Sequence, residues 1–194
     1  MPTASASRPY MPSLDDARAL LHEWTETDSL RRHAEAVSAS MGEAARRMGG
    51  DEETWRIAGL LHDMDYERHP TPEEHPRVGV KALEAAGYPE DIRTAILGHA
   101  LHTGVPRETP MAKALFAVDE LSGFVTAVAL VRPTRMDGMK VRSVKKKLKD
   151  RKFAEAVSRE DIRQGAAELE MEVDELIQLV IDALTREADS VGLA

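Results

Sequence analysis

Apolar side chains recur along most of this 194-residue chain at intervals of three and four, the repeat that lines one face of a helix. The first run opens behind Ser13, with Asp16 three residues on as a capping partner, and carries Leu14, Ala17, Leu21 and Trp24. His22 falls off that stripe and is expected in solvent. A second helix is predicted from about Asp28 to Met48, closed by Gly49-Gly50, with Leu30, Ala34, Val37 and Met41 on its apolar face. A third starts after Asp51 and ends near Asp63. Three prolines in 66–76 then mark an ordered loop, and Pro76 can open the next helix, which runs to Gly87. Another is predicted over 89–102. The long apolar run 111–131 is stopped by Arg132-Pro133. A short helical pattern at 144–148 precedes two last helices, marked by Ile162, Ala166 and Leu169, then by Leu176, Ile177, Val180, Ile181 and Leu184. No period-two run bounded by turns occurs anywhere. The pattern predicts an all-α chain.

Four polar residues interrupt these stripes. His33 has Leu30, Val37 and Met41 on its face; His62 has Trp55, Ala58 and Gly59; His99 has Ile92, Ala95 and Ile96; Asp119 has Ala112, Leu115 and Phe116. A single buried histidine is most often a core residue with one hydrogen-bonded partner. Four such groups on four helices are another matter, because an unpaired carboxylate in an apolar interior costs several kcal/mol. No Lys or Arg shares a stripe with Asp119 at short range. A metal ion is the economical partner, since it accepts neutral imidazole and carboxylate together. His75, before Pro76, is placed less directly: it is expected to be extended at a helix start, with His69 before Pro70 as its rival. His102 falls one turn beyond His99 on the same side.

Composition narrows the chemistry. The chain has no cysteine, which excludes disulfides, thiolate metal sites and cysteine nucleophiles. The start, 1–12, is rich in Ser, Ala and Pro without the apolar core of a signal peptide, and reads as a loose tail on a cytoplasmic protein. A single domain over 13–190 follows, with a ligand-bearing core at about 28–131, a basic segment at 132–152 and C-terminal helices at 153–190. The run 111–131 is long enough to span a membrane, and its nine Leu, Phe and Val residues favour insertion by about 0.3–0.6 kcal/mol each. Asp119 alone costs roughly 3 kcal/mol, and Glu120 and Lys113 add to it. Insertion loses, and the run is a core helix. The net charge of −8 argues against a general nucleic-acid binder. That average hides an asymmetry: 132–152 holds ten Lys or Arg against two Asp, a local net of +8. A solvated surface is the simplest reading of that segment.

With these residues in view, the chain resembles the HD superfamily of metal-dependent phosphohydrolases. The signature is a histidine on one helix, a His-Asp pair ending a later helix, and an aspartate on a long helix, here His33, His62-Asp63 and Asp119. Members with two metals add two histidines between the pair and the last aspartate, an order that His75 and His99 fit. Similarity looks closest to small bacterial HDIG-type proteins, which have stretches like Ala117-Val118-Asp119-Glu120-Leu121-Ser122-Gly123-Phe124 and Val141-Arg142-Ser143-Val144-Lys145-Lys146-Lys147. The resemblance implies an HD-domain helical bundle with C-terminal helices packed on it. One of two divalent ions (Mn, Fe, Mg, Co or Zn) would be held by His33, His62, Asp63 and Asp119. Asp63 would bridge to a second held by His75 and His99.

Where single-metal nucleotidases of the superfamily have a glutamate three residues after the pair's aspartate, this chain has Tyr66. Where the guanosine tetraphosphate hydrolases have Glu-Asp, it has Tyr66-Glu67. The Gly-Tyr-Pro motif of the cyclic-dinucleotide phosphodiesterases is spelled by Gly87-Tyr88-Pro89, but upstream of His99. The implied activity is hydrolysis of a small phosphorylated substrate by a metal-bridging hydroxide. Asp63 would be central to catalysis, His102 a proton donor to the leaving group, and Arg77 and Lys113 phosphate-binding cations. Myo-inositol oxygenase and a phosphonate-cleaving dioxygenase share the ligand types, so a mixed-valence di-iron oxygenase is the alternative. A purely structural metal is a third reading.

Overall fold

The computed structural model describes residues 11–194, so the expected tail lies, apart from Met11 and Pro12, outside the described residues. Among the described residues the chain is all-helical. Ser13 caps α1 (Leu14–Trp24) in a reciprocal capping box with Asp16. The helix α2 (Asp28–Met48) ends on Gly49, whose φ of 74° is the left-handed conformation that glycine adopts without a Cβ penalty. Asp51 caps α3 (Glu52–Leu61). Then come α4 (Arg77–Ala85), α5 (Glu90–His99), α6 (Pro110–Leu130), α7 (Val141–Leu148), α8 (Arg159–Glu168) and α9 (Val173–Arg186).

Two long helices organise the bundle. α2 packs on α3, α6 and α9, and α6 packs on α5 and α8 as well. These contacts are close because small residues line them. A Cβ on Gly59 of α3 would lie 2.8 Å from Met41 Cγ and 3.0 Å from the Val37 carbonyl oxygen of α2. One on Gly165 of α8 would lie 2.5 Å from the Ala117 Cα of α6. Packing at that distance brings His33, His62 and Asp119 within reach of one another. No helix among the described residues is long and apolar enough to cross a membrane, and α6 is buried along most of its length, including Leu115, Val118, Leu121, Phe124 and Val125.

The structure departs from the sequence pattern at two places near the site. His75 is not extended: its N–H bonds to the Thr71 carbonyl at 2.8 Å, within a turn that ends in a cis His75–Pro76 peptide. The helix expected over 89–102 stops at His99, because Ala100 is extended and a short 3₁₀ turn follows at Leu101–Thr103. The Thr103 hydroxyl lies 2.8 Å from the Leu97 carbonyl and 2.9 Å from that of Ala100, satisfying acceptors that a continuing helix would have used. His102 therefore leaves the His99 stripe.

Candidate metal centre

Six side chains from four helices and one loop meet at the middle of the α2–α3–α5–α6 contact. The carboxylate of Asp119, on α6, lies 3.0 Å from His33 Nε2 of α2 and 3.3 Å from His62 Nε2 at the end of α3. The Asp63 carboxylate has two faces. Its Oδ2 is 3.4 Å from His62 Nε2, and its Oδ1 is 3.3 Å from both His75 Nε2 and His99 Nε2. Two sets of donor atoms each gather within 4.8 Å, His33/His62/Asp119 and His62/Asp63/His99, and His75 joins the second through Asp63.

The backbone fixes what these imidazoles offer. His62 Nδ1 is 2.8 Å from the Gly59 carbonyl oxygen, and His99 Nδ1 is 2.5 Å from that of Ile96. A carbonyl can only accept, so each Nδ1 carries the proton and, in the neutral ring, each Nε2 turns a bare lone pair inward. His75 has the same arrangement with a carboxylate: its Nδ1 lies 2.7 Å from Asp65 Oδ1. Three lone pairs therefore face carboxylate oxygens at 3.3–3.4 Å, acceptor against acceptor. The Nε2 of His62 is buried with no hydrogen-bond partner at all. Such a cluster holds together only around cations, either protons or metal ions. The spacing suits metal ions: with bonds of about 2.1 Å, neighbouring donors stand about 3.0 Å apart on an octahedron and about 3.4 Å on a tetrahedron.

In the metal-free chain, protons take that role. Burial opposes the charge on His62, but Asp63 and Asp119 outweigh it and raise the imidazole well above its usual range. Burial likewise opposes His75, and its bonds to Asp63 and Asp65 nonetheless raise it to about 9. Burial would push the Asp63 and Asp119 carboxyls up, but the facing imidazoles hold both well below the carboxylate range. The cluster is not sealed. The side chains of His33, Asp63 and Asp119 keep 18–25% of their surface exposed, whereas His62, His75 and His99 are buried.

Two positions beside the cluster escaped the sequence reading. Asp65 is not among the residues that the sequence singles out; it is fully buried, accepts from His75 Nδ1 and takes the Gly79 N–H on its other oxygen at 2.7 Å. A Cβ on Gly79 would lie 3.0 Å from the Asp65 carboxyl carbon, so glycine there lets α4 reach the carboxylate. Asp65 orients His75 and raises its basicity. Asp65→Ala is expected to weaken the affinity for a divalent ion held through His75 about 10–100-fold, measured by competition with a chromophoric chelator. An unchanged affinity would remove Asp65 from the site. The second position is Glu120, which accepts the Ser158 N–H at 3.1 Å; burial and then the neighbouring Asp119 charge push it up to about 7. Its only sequence signal was its place beside Asp119.

The remaining candidates stand at the margin. His102 Nε2 is 2.7 Å from the His75 carbonyl oxygen, which fixes the proton on Nε2 and bonds it to backbone. Arg77 braces loops, donating to the Pro72 carbonyl at 2.9 Å and reaching that of Thr103 at 3.5 Å. Lys113 lies near Glu168, whose carboxyl it helps hold down after the larger effect of Arg107. His102 touches the cluster only through the backbone of His75, and no hydrogen bond or ion pair joins Arg77 or Lys113 to any of the six side chains. His69, the rival of His75, pairs with Glu74 at 3.2 Å and takes no part. Tyr66 sets its ring edge-on to His75 at 5.2 Å, and Glu67 accepts from the Thr27 N–H at the start of α2.

This geometry gathers histidine and aspartate donors that could hold a metal inside a helical bundle, and comparison with known proteins matches the surrounding chain to a domain family. Residues 30–123 match the HD domain, a span that contains all six converging side chains; the chain carries an HD domain. Ribonuclease Y of Oleidesulfovibrio alaskensis is 32% identical over 98 residues. That alignment covers 50% of this chain and 18% of the relative, so the similarity concerns one part of a much longer protein.

Proposed function

We propose that the chain hydrolyses phosphoesters at a centre holding two divalent ions. The observation that carries this reading is the two-sided Asp63 carboxylate, with His62 at one oxygen and His75 and His99 at the other. One set of ligands would be His33, His62, Asp63 and Asp119, and the other Asp63, His75 and His99. When bound, such ions supply Lewis acidity, activating a water and neutralising charge on phosphoryl oxygens. The chain's own residues do the rest. Gly59, Ile96 and Asp65 lock the imidazole tautomers, and two carboxylates against ions of total charge +4 leave a surplus that draws an anionic substrate. The similarity to a ribonuclease, an enzyme of phosphodiester bonds by name, supports phosphoester chemistry for this site. His102 is proposed as a proton donor to the leaving group, a role that requires the doubly protonated ring, with Nε2–H kept on the His75 carbonyl and the proton leaving from Nδ1; Arg77 and Lys113 are proposed as flanking cations.

The test is a metal-depleted preparation reloaded with Mn²⁺ and offered nucleotides, phosphomonoesters and bis(p-nitrophenyl) phosphate. Turnover of at least one is expected, abolished by chelation and restored by metal. No turnover, together with a mixed-valence signal by electron paramagnetic resonance after aerobic iron loading, would replace this reading with the oxygenase.

A further inference from the structure

A concavity elsewhere on the surface shares no lining residue with the histidine–aspartate cluster. It has a volume of about 740 Å³ and lies between α7, the turn at 149–158 and the starts of α8 and α9. It merges through Lys145, Lys149 and Asp174 with a hollow of about 530 Å³ beside Arg142 and Lys146. The combined surface is basic on a chain whose net charge is −8.

Its cations fall into two kinds. Some are already engaged: Lys145 pairs with Asp174 at 2.7 Å and Arg163 with Glu160 at 3.0 Å. The guanidinium of Arg159 donates to the carbonyls of Ala154, Val157 and Asp150 and lies over the Phe124 ring, which fixes the turn that forms one wall. Four others are free. Arg142, Lys146, Lys149 and Arg151 are exposed, and among the described residues no carboxylate lies within ion-pair distance of any of them. Four unneutralised cations around one concavity focus a positive potential there. The floor differs from the rim: Leu148, Val157, Ile162 and Val173 line it.

We propose that this cleft binds a small molecule carrying several phosphate groups and an apolar ring. The phosphates would meet Lys149, Arg151 and, in the adjoining hollow, Arg142 and Lys146, while the ring would cover the apolar floor. The volume is that of small-ligand pockets. Lysine and arginine rims with apolar floors suit a ligand that is anionic at one end only. A single-stranded nucleic acid fits less well, because base stacking needs an open aromatic face. Phe153, the aromatic of the turn, is covered by Lys147 and set edge-on to Phe124.

The experiment is calorimetric titration of the full chain with ATP and with tripolyphosphate in excess EDTA, which keeps divalent ions out of the metal centre. ATP is expected to bind one per chain with a Kd below about 1 mM, and at least threefold tighter than tripolyphosphate because of the apolar floor. The double variant Lys149→Glu/Arg151→Glu should lose at least tenfold in affinity, Lys149→Gln/Arg151→Gln less, and Asp63→Ala nothing. The proposal is overturned by absent saturation, or by binding indifferent to charge reversal. It is overturned equally by an RNA oligonucleotide that binds with length-dependent affinity while ATP does not. The outcome is separable from the hydrolase reading: ATP binding that survives Asp63→Ala and is lost on charge reversal stands even where no phosphoester is cleaved.

Discussion

Asp63→Ala is expected to leave the protein with almost no metal, whereas His99→Ala should lose one ion and keep the other. The asymmetry follows from position. Among the described residues, Asp63 is the only side chain with one oxygen toward His62 and the other toward His75 and His99, while His99 Nε2 faces no carboxylate but Asp63. Elemental analysis per chain reads the difference directly. The hydrolytic rate should fall in the Asp63 variant by on the order of 10²–10³-fold or more, the scale for removing one preorganised electrostatic group. Both variants should keep their helical circular dichroism, because the core they leave intact, from Leu60 and Leu61 to Leu115 and Leu121, is fully buried and apolar. Full occupancy in both would reduce the His62-Asp63 pair to the end of a helix.

The legible part of this site was the part on helices. His33, His62, His99 and Asp119 stood out because helical periodicity assigns each residue a direction, and a polar group pointing at the core has to be explained. The helix bounds were legible for the same kind of reason: Ser13 with Asp16, Asp51, Gly49 and Arg132-Pro133 carry capping or breaking chemistry in their own side chains. Periodicity says nothing once the chain leaves the helix. His75 sits in a turn held by its own N–H bond to Thr71, and Asp65 lies two residues past Asp63 in the turns after α3, where spacing defines no face. Asp65 becomes meaningful only when folding brings His75 and Gly79, ten and fourteen residues further on, against its two oxygens. The stop of α5 at His99 was hidden too, since it depends on the Thr103 hydroxyl turning back to two carbonyls. The basic segment shows the same limit at larger scale: its charge was plain in the sequence, but a concavity built jointly with the starts of α8 and α9 was not.

Metal loading should release protons, and its apparent affinity should rise with pH. In the metal-free chain, burial works against protonation of His62 and His75, yet the facing aspartates prevail; His62 lies well above its usual range and His75 at about 9. His75 is therefore protonated near pH 7.5, and His62 is shifted the same way, whereas a metal accepts only the neutral ring. Each ion that binds must expel the proton it replaces. The sign is fixed by that competition: acid favours the protonated, metal-free cluster, and alkali favours the loaded one until the pH passes the metal-free pKa. For the ion held by His75, affinity should climb roughly tenfold per pH unit well below 9 and flatten as the pH reaches it, so roughly 15-fold between pH 7.5 and 9. Calorimetric Mn²⁺ titrations in buffers of different ionisation enthalpy give the proton count as a slope, expected to be about one to two per chain at pH 7.5. A slope of zero would mean that the imidazoles are neutral before the metal arrives. The acceptor-against-acceptor contacts at 3.3–3.4 Å would then have no cation between them, and the electrostatic account of why this cluster holds together would fail.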